Sequence, residues 1–218
     1  MAAAIEISPQ RKSAVTFAVM LAAIMQMLDT TIANVALPHM QGSLSATQDQ
    51  LSWVLTSYIV AAAIMTLPVG WLSGRYGRKN VFVISVAGFT VASVLCGVAS
   101  SLNEMVLFRV LQGFFGAALV PLSQATLLDI NRKEDHGKAM SLWAVSVMIG
   151  PILGPTLGGF LTEYYSWRWV FYINLPLGIL AFFIMYTLIP DAERVERKFD
   201  KLGFFALSIF IASIQLIL

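Results

Sequence analysis

The chain has 218 residues, of which 58% are apolar and only 12% are charged, with a mean hydropathy of +0.77. An ordinary soluble domain carries roughly 25% charged residues, and a chain this apolar would leave large hydrophobic patches facing water. The net charge of +2 excludes the basic footprint of a nucleic-acid binder, and the single Cys96 excludes a disulfide within the chain.

A helix needs about 20 apolar residues to cross the hydrocarbon, and backbone groups in lipid must pair internally. Runs of this length lie near 14–34, 51–73, 80–100, 105–128, 139–161 and 168–189, and another begins at 202–218. The expected fold class is an all-α membrane protein, a six-helix bundle plus the start of a seventh transmembrane helix. Residues 1–13 read as a cytoplasmic tail, 14–189 as the bundle, 190–201 as a charged linker and 202–218 as a truncated seventh helix. No convincing cleavage site follows the first run, so it reads as a retained span.

Basic residues set the orientation. Arg11 and Lys12 precede span one, and Arg75, Arg78 and Lys79 follow span two. Arg132, Lys133 and Lys138 follow span four, and Arg194, Arg197, Lys198 and Lys201 follow span six. All of these fall on one side, which is then cytoplasmic, as is the N-terminus. Of the remaining basic residues, Arg168 lies on the opposite side and Arg109 inside span four.

Span one contains "MQMLDTTIANVALP", with Asp29 inside an apolar helix and Gln26, Thr30, Thr31 and Asn34 around it. An ionisable residue within a span faces a bundle interior or a wet cavity. Gln26 and Thr30 are four apart and share a face; Asn34 can cap or hydrogen-bond across helices. Span two ends in "GWLSGRYGRKN", where Gly70 and Gly77 permit a tight turn and Arg75, Arg78 and Lys79 anchor at the headgroups. It lacks the Gly-Lys-Ser/Thr ending of a phosphate loop.

Span four contains "FRVLQGFFGAALVP", where steps of three and four put Arg109, Gln112, Gly113 and Gly116 on one face. Asp29 and Arg109 then form either a structural ion pair or a proton-coupling pair. Desolvation favours the neutral form of a carboxyl group and a nearby cation favours the charged form. An acid moved between wet and dry surroundings can therefore load and release a proton. Span five contains "IGPILGPTLGGF": Gly150, Gly154 and Gly158 make a smooth ridge for close helix approach, and Pro151 and Pro155 predict a bend. Gly159 extends the small-residue stretch. The tryptophans near span ends fit an aromatic belt, and His39 and His136 are expected in loops on opposite sides, too far apart to share a metal.

These motifs carry a resemblance. "LDTTIANVALP", "GWLSGRYGRK", "RVLQGFFGAAL" and "GPILGPTLGGFL", in this order, are similar to motifs of the major facilitator superfamily, specifically the drug:proton antiporter family with fourteen spans (the EmrB/QacA type). The resemblance implies a non-enzymatic efflux antiporter that exports amphipathic or cationic compounds by alternating access, without a cofactor and driven by the proton gradient. It assigns Arg109 to proton coupling and Asp29 to the transport network; Gln26, Thr30, Asn34 and Gln112, polar groups within the same two spans, are candidates for the polar cavity. It makes span five the moving interface. It also implies a location in the cell inner membrane, a C-terminal half beyond this chain, and a periplasmic adaptor with an outer-membrane duct where the source has two membranes. One departure is Gly74, where the family's loop motif has an acid; Asp129 is a candidate replacement on the same side. An uptake symporter for a sugar or organic acid and a non-transporting scaffold are the alternatives.

Overall fold

The computed structural model describes residues 8–190 and 199–217. Its helices are α1 (Pro9–Met40), α2 (Gln48–Tyr76), α3 (Arg78–Val98), α4 (Leu102–Gly116), α5 (Leu119–Ile130), α6 (His136–Tyr164), α7 (Trp169–Tyr172), α8 (Asn174–Leu188) and α9 (Lys201–Ile217). Six segments are long and apolar enough to cross a membrane: α1, α2, α3, Leu102–Ile130, Lys133–Tyr164 and Trp169–Leu188. The spans expected at 105–128 and 168–189 are each split, into α4 and α5 and into α7 and α8.

Local chemistry explains the helix ends. Ser8 accepts from the Arg11 amide at 3.4 Å and Pro9 takes the first helical position, where a missing amide proton costs nothing. α1 therefore begins inside the 1–13 segment expected as a tail, and it runs on through His39, expected in a loop. His136 likewise opens α6 rather than lying in a loop. Thr47 and Gln50 form a reciprocal capping box at the start of α2. Between α2 and α3 the chain turns at Gly77, whose φ of 88° suits a residue without Cβ.

Each end of the bundle is tied across helices. At one end the Arg11 Nε donates to the Leu188 carbonyl at 2.8 Å, and Arg78 pairs with Asp129. At the other, Arg168 donates to the carbonyls of Gly97 and Ala99 at 2.8 and 2.7 Å, closing off the end of α3. Its guanidinium lies 4.4 Å from the Trp167 ring centroid, and Trp167 donates to Ser43 at 2.9 Å. Trp167 is thus buried in packing rather than set in an aromatic belt, whereas Trp53 and Trp169 are half exposed. α9 rests on α2, with Phe199 4.7 Å from Trp71. Arg194, Arg197 and Lys198 of the expected linker lie outside the described residues.

The glycine ridge of α6 is the seam with α1. A Cβ on Gly150 would sit 2.6 Å from the Met27 Cβ, one on Gly158 3.0 Å from Ile32, and one on Gly154 would overlap Thr31. Such close approach brings backbone within reach: Thr31 Oγ1 lies 3.1 Å from the Gly150 carbonyl. Gly159 has open space around it and lies off the seam, while Pro151 and Pro155 lie on the exposed side of the helix. α6 remains helical through both prolines.

The apolar core divides into two clusters. One contains Val19, Met25, Phe82, Phe89, Leu119 and Met185; the other contains Ile32, Met40, Val54, Cys96, Met105 and Phe171. A polar layer lies where they meet, because Asp29 falls between Met25 and Ile32 in α1 and Ser93 between Phe89 and Cys96 in α3. Gly154→Ala is expected to destabilise the detergent-solubilised protein by about 1–3 kcal/mol, the usual range for overpacking a tight contact. Gly159→Ala should leave the thermal midpoint unchanged; equal effects at the two positions would show that the seam is not the contact under strain.

Candidate functional site

Five buried polar side chains meet in this layer. Asp29 (α1), Ser93 (α3), Arg109 and Gln112 (α4) and Asn174 (α8) are each 0% exposed. Arg109 Nη1 donates to Asp29 Oδ2 at 2.6 Å. Gln112 Nε2 and Asn174 Nδ2 both donate to Asp29 Oδ1, at 2.8 and 3.1 Å. The carboxylate therefore accepts three hydrogen bonds from two helices other than its own.

Arg109 is held from several sides. Its Nε donates to the Val54 carbonyl of α2 at 3.0 Å, and its Nη1 also donates to Gln112 Oε1 at 2.7 Å. Its Nη2 is buried without a hydrogen-bond partner among the described residues. The guanidinium lies 4.1 Å from the Tyr58 ring centroid, within range of a cation–π attraction. Close helix packing makes this possible. A Cβ on Gly113 would collide with the Tyr58 carbonyl, and one on Gly116 would come within 3.1 Å of Phe89 and Tyr58. The face predicted for Arg109, Gln112, Gly113 and Gly116 is a single buried face in the structure.

The layer extends beyond the carboxylate. Asn174 Nδ2 also donates to Ser93 Oγ at 3.0 Å, and Ser93 donates to the Phe171 carbonyl at 2.9 Å. The Cys96 thiol donates to Gln112 Oε1 at 3.4 Å. Sequence reasoning does not single out Ser93, Asn174, Tyr58 or Cys96 for this site. The available signal is an amide in "YINLPLG" and a hydroxyl in "VASVLCG", polar groups inside apolar runs.

The other predicted residues lie apart from this cluster. Gln26 is half-buried, and its Oε1 accepts from the Val120 amide at 3.2 Å. That amide belongs to the first turn of α5, where the break in span four leaves donors without helical partners. Pro121 just beyond the break cannot donate to the Ala117 carbonyl. Thr30 bonds back to the Met27 carbonyl at 2.8 Å, and Asn34 is exposed. In the loop motif, Arg75 lies 5.5 Å from the Trp71 ring centroid, Gly70 stands in open space and Lys79 is half-buried. Arg78 reaches Asp129 and also donates to the Ala125 carbonyl at 3.3 Å. Among the described residues there is no cluster of His, Cys, Asp and Glu suited to a metal ion.

Residues 19–216 match the family described as the Major Facilitator Superfamily. The chain belongs to that superfamily. It is 40% identical to the multidrug export protein EmrB of Haemophilus influenzae over 205 residues, which is 93% of this chain and 40% of that protein. It is 42% identical to the EmrB of Escherichia coli over the same share of each. It is 40% identical to the fatty acid resistance protein FarB of Neisseria gonorrhoeae, over 94% of this chain and 41% of that protein. The chain thus spans about 40% of the length of these relatives. Its fold is similar to the inward-open structure of the xylose transporter XylE from E. coli, with a TM-score of 0.74 at 16% identity, covering 94% of this chain and 55% of that one. A bacterial homologue of the lysosomal transporter Spinster gives 0.73 at 23% identity, over 86% of this chain and 46% of that one. The family expected from the four motifs is the one found, and it is a family of transporters rather than enzymes.

Arg109→Lys is expected to fail as a replacement. An ammonium is a point charge without the guanidinium fork and cannot serve Val54, Gln112 and Asp29 together. The loss should be about 1–3 kcal/mol, the cost of leaving a buried hydrogen-bonding partner unsatisfied, measured by thermal unfolding in detergent. An Arg109→Lys variant as stable as the parent would mean that the fork geometry is dispensable.

Proposed function

We propose that this chain forms the N-terminal six-helix bundle of a proton-coupled multidrug exporter of the cell inner membrane, with its N-terminus in the cytoplasm. The observation that carries the proposal is the sealed Asp29–Arg109 pair, wholly buried and bonded at 2.6 Å, in a chain about 40% identical to multidrug export proteins. The exported compounds are amphipathic or cationic, and the proton gradient drives export without a cofactor. The remaining part of the transporter completes the cavity; a periplasmic adaptor and an outer-membrane duct extend the route outward.

In the proposed cycle, ionised Asp29 holds Arg109 and closes α1 against α4. Protonation of Asp29 removes the counter-charge from a buried guanidinium. An uncompensated charge in a dry site is costly, so the arrangement that re-solvates Arg109 becomes favoured. The glycines of α6 present no side chains of their own at the seam, so α6 can shift along α1 once the Thr31 hydrogen bond to the Gly150 carbonyl gives way. A proton and a cationic substrate both reduce the need for the Asp29 charge to face Arg109, and competition between them is sufficient for exchange. An uptake symporter would couple the two fluxes in the same direction.

The test is substrate-stimulated proton flux in liposomes containing the full-length transporter. Protons and a lipophilic cation should move in opposite directions, and Asp29→Asn should reduce coupled flux at least tenfold. Flux in the same direction would replace the antiport reading with symport. Full exchange in Asp29→Asn would reduce the pair to a structural role.

A further inference from the structure

A carboxyl group that takes up a proton becomes a hydrogen-bond donor. The three side chains now bonded to Asp29 all donate to it, so protonation puts a donor against donors unless one of them can reverse. Arg109 cannot, because a guanidinium has no acceptor. Gln112 is locked: its Oε1 is held by Arg109 Nη1 at 2.7 Å and by the Cys96 thiol at 3.4 Å. Turning its amide over would press an NH2 group against the guanidinium.

Asn174 is free of that restriction. Its Oδ1 is buried and makes no hydrogen bond among the described residues. Its present orientation follows from the charge on Asp29, since the opposite one would set the amide oxygen against a carboxylate oxygen. Its other partner, Ser93, is a hydroxyl, which can donate or accept.

We propose that Asn174 is a positioning residue for proton uptake: when Asp29 is protonated, the Asn174 amide turns over and its Oδ1 accepts the carboxyl proton in a hydrogen bond, while the Ser93 hydroxyl gives up its bond to the Phe171 carbonyl and reverses to donate to the same oxygen. No covalent bond changes besides the O–H formed at Asp29. The inference rests on the reading of Asp29 as the proton carrier. It gives the arm of α8 a role distinct from that of Arg109. Arg109 and Gln112 favour the ionised acid alone, whereas Asn174 serves both states.

The other titratable groups facing Asp29 are Arg109 from α4, Tyr58 from α2 and Cys96 from α3. α5 and α6 carry their titratable side chains, Asp129, His136, Lys138, Glu163 and Tyr164, only towards their ends. α7 and α8 contribute Tyr172 beside Gly97 and Tyr186 in the last turn of α8, and α1 has Arg11, Lys12 and His39 at its ends.

The test follows the infrared C=O band of the protonated Asp29 carboxyl against pH in the full-length transporter, the band being assigned by its loss in Asp29→Asn. Asn174 bonds both states of the acid, so the deciding readout is the Asn174 side-chain amide C=O band, assigned by its loss in Asn174→Leu. That oxygen has no hydrogen-bond partner among the described residues beside the ionised acid and gains two on protonation, so the amide band should move to lower frequency over the same pH range in which the carboxyl band appears. If Asn174→Leu does not fold, Asn174→Ala assigns the same band. An amide band that stays in place while the carboxyl band appears overturns the role of Asn174 and leaves Asp29 as the carrier. A parent protein with no band sensitive to Asp29→Asn overturns the carrier reading itself, and this inference with it.

Discussion

Withdrawing a carboxylate and a guanidinium from water costs several kcal/mol for each ion, and their attraction offsets this only when further hydrogen bonds support both groups. That constraint organises the centre of this bundle. Asp29 accepts from Arg109, Gln112 and Asn174, and Arg109 donates in addition to a backbone carbonyl of α2 and to the Gln112 amide. Four helices are tied through two charged side chains. The polar layer is thin, with apolar clusters above and below, so water reaches it only if helices move apart.

The surrounding backbone is shaped to bring those groups within reach. Gly113 lets α4 lie against the α2 backbone, which puts the Val54 carbonyl at Arg109. The glycines of α6 let it lie against α1 opposite the acid. The break between α4 and α5 leaves an amide that Gln26 accepts from, so a polar residue one turn before Asp29 supports the fold rather than the charge cluster. A bundle built this way combines a costly polar centre with seams at which one helix presents bare backbone to its neighbour. Those are properties suited to a structure with two arrangements of similar energy.

Much of this was legible in the sequence, and the reasons are physical. Spans announce themselves because lipid demands long apolar helices, and the six expected runs are six membrane-length helical segments. Asp29 and Arg109 stood out because charge is rare in such runs, and the spacing of Arg109, Gln112, Gly113 and Gly116 predicted a shared face. Ser93 and Asn174 were hidden because a neutral hydroxyl or amide in a span is too common to single out, and "YINLP" sits beside aromatic residues that draw attention to the interface. The role of Gln26 depends on a break that only Pro121 hinted at. Helix ends ran further than the apolar runs, since caps such as Ser8 and Thr47 lie outside the hydrophobic pattern.

The central claim is that Asp29 and Arg109 act as one energetic unit at the heart of the bundle. The direct measurement is a double-mutant cycle on unfolding in detergent, using Asp29→Asn, Arg109→Gln and the two together. Each single change should be strongly destabilising and the double change much less so than their sum, with a coupling energy of at least about 2 kcal/mol. Single effects that add to within about 0.5 kcal/mol would mean the two residues are neighbours without being partners.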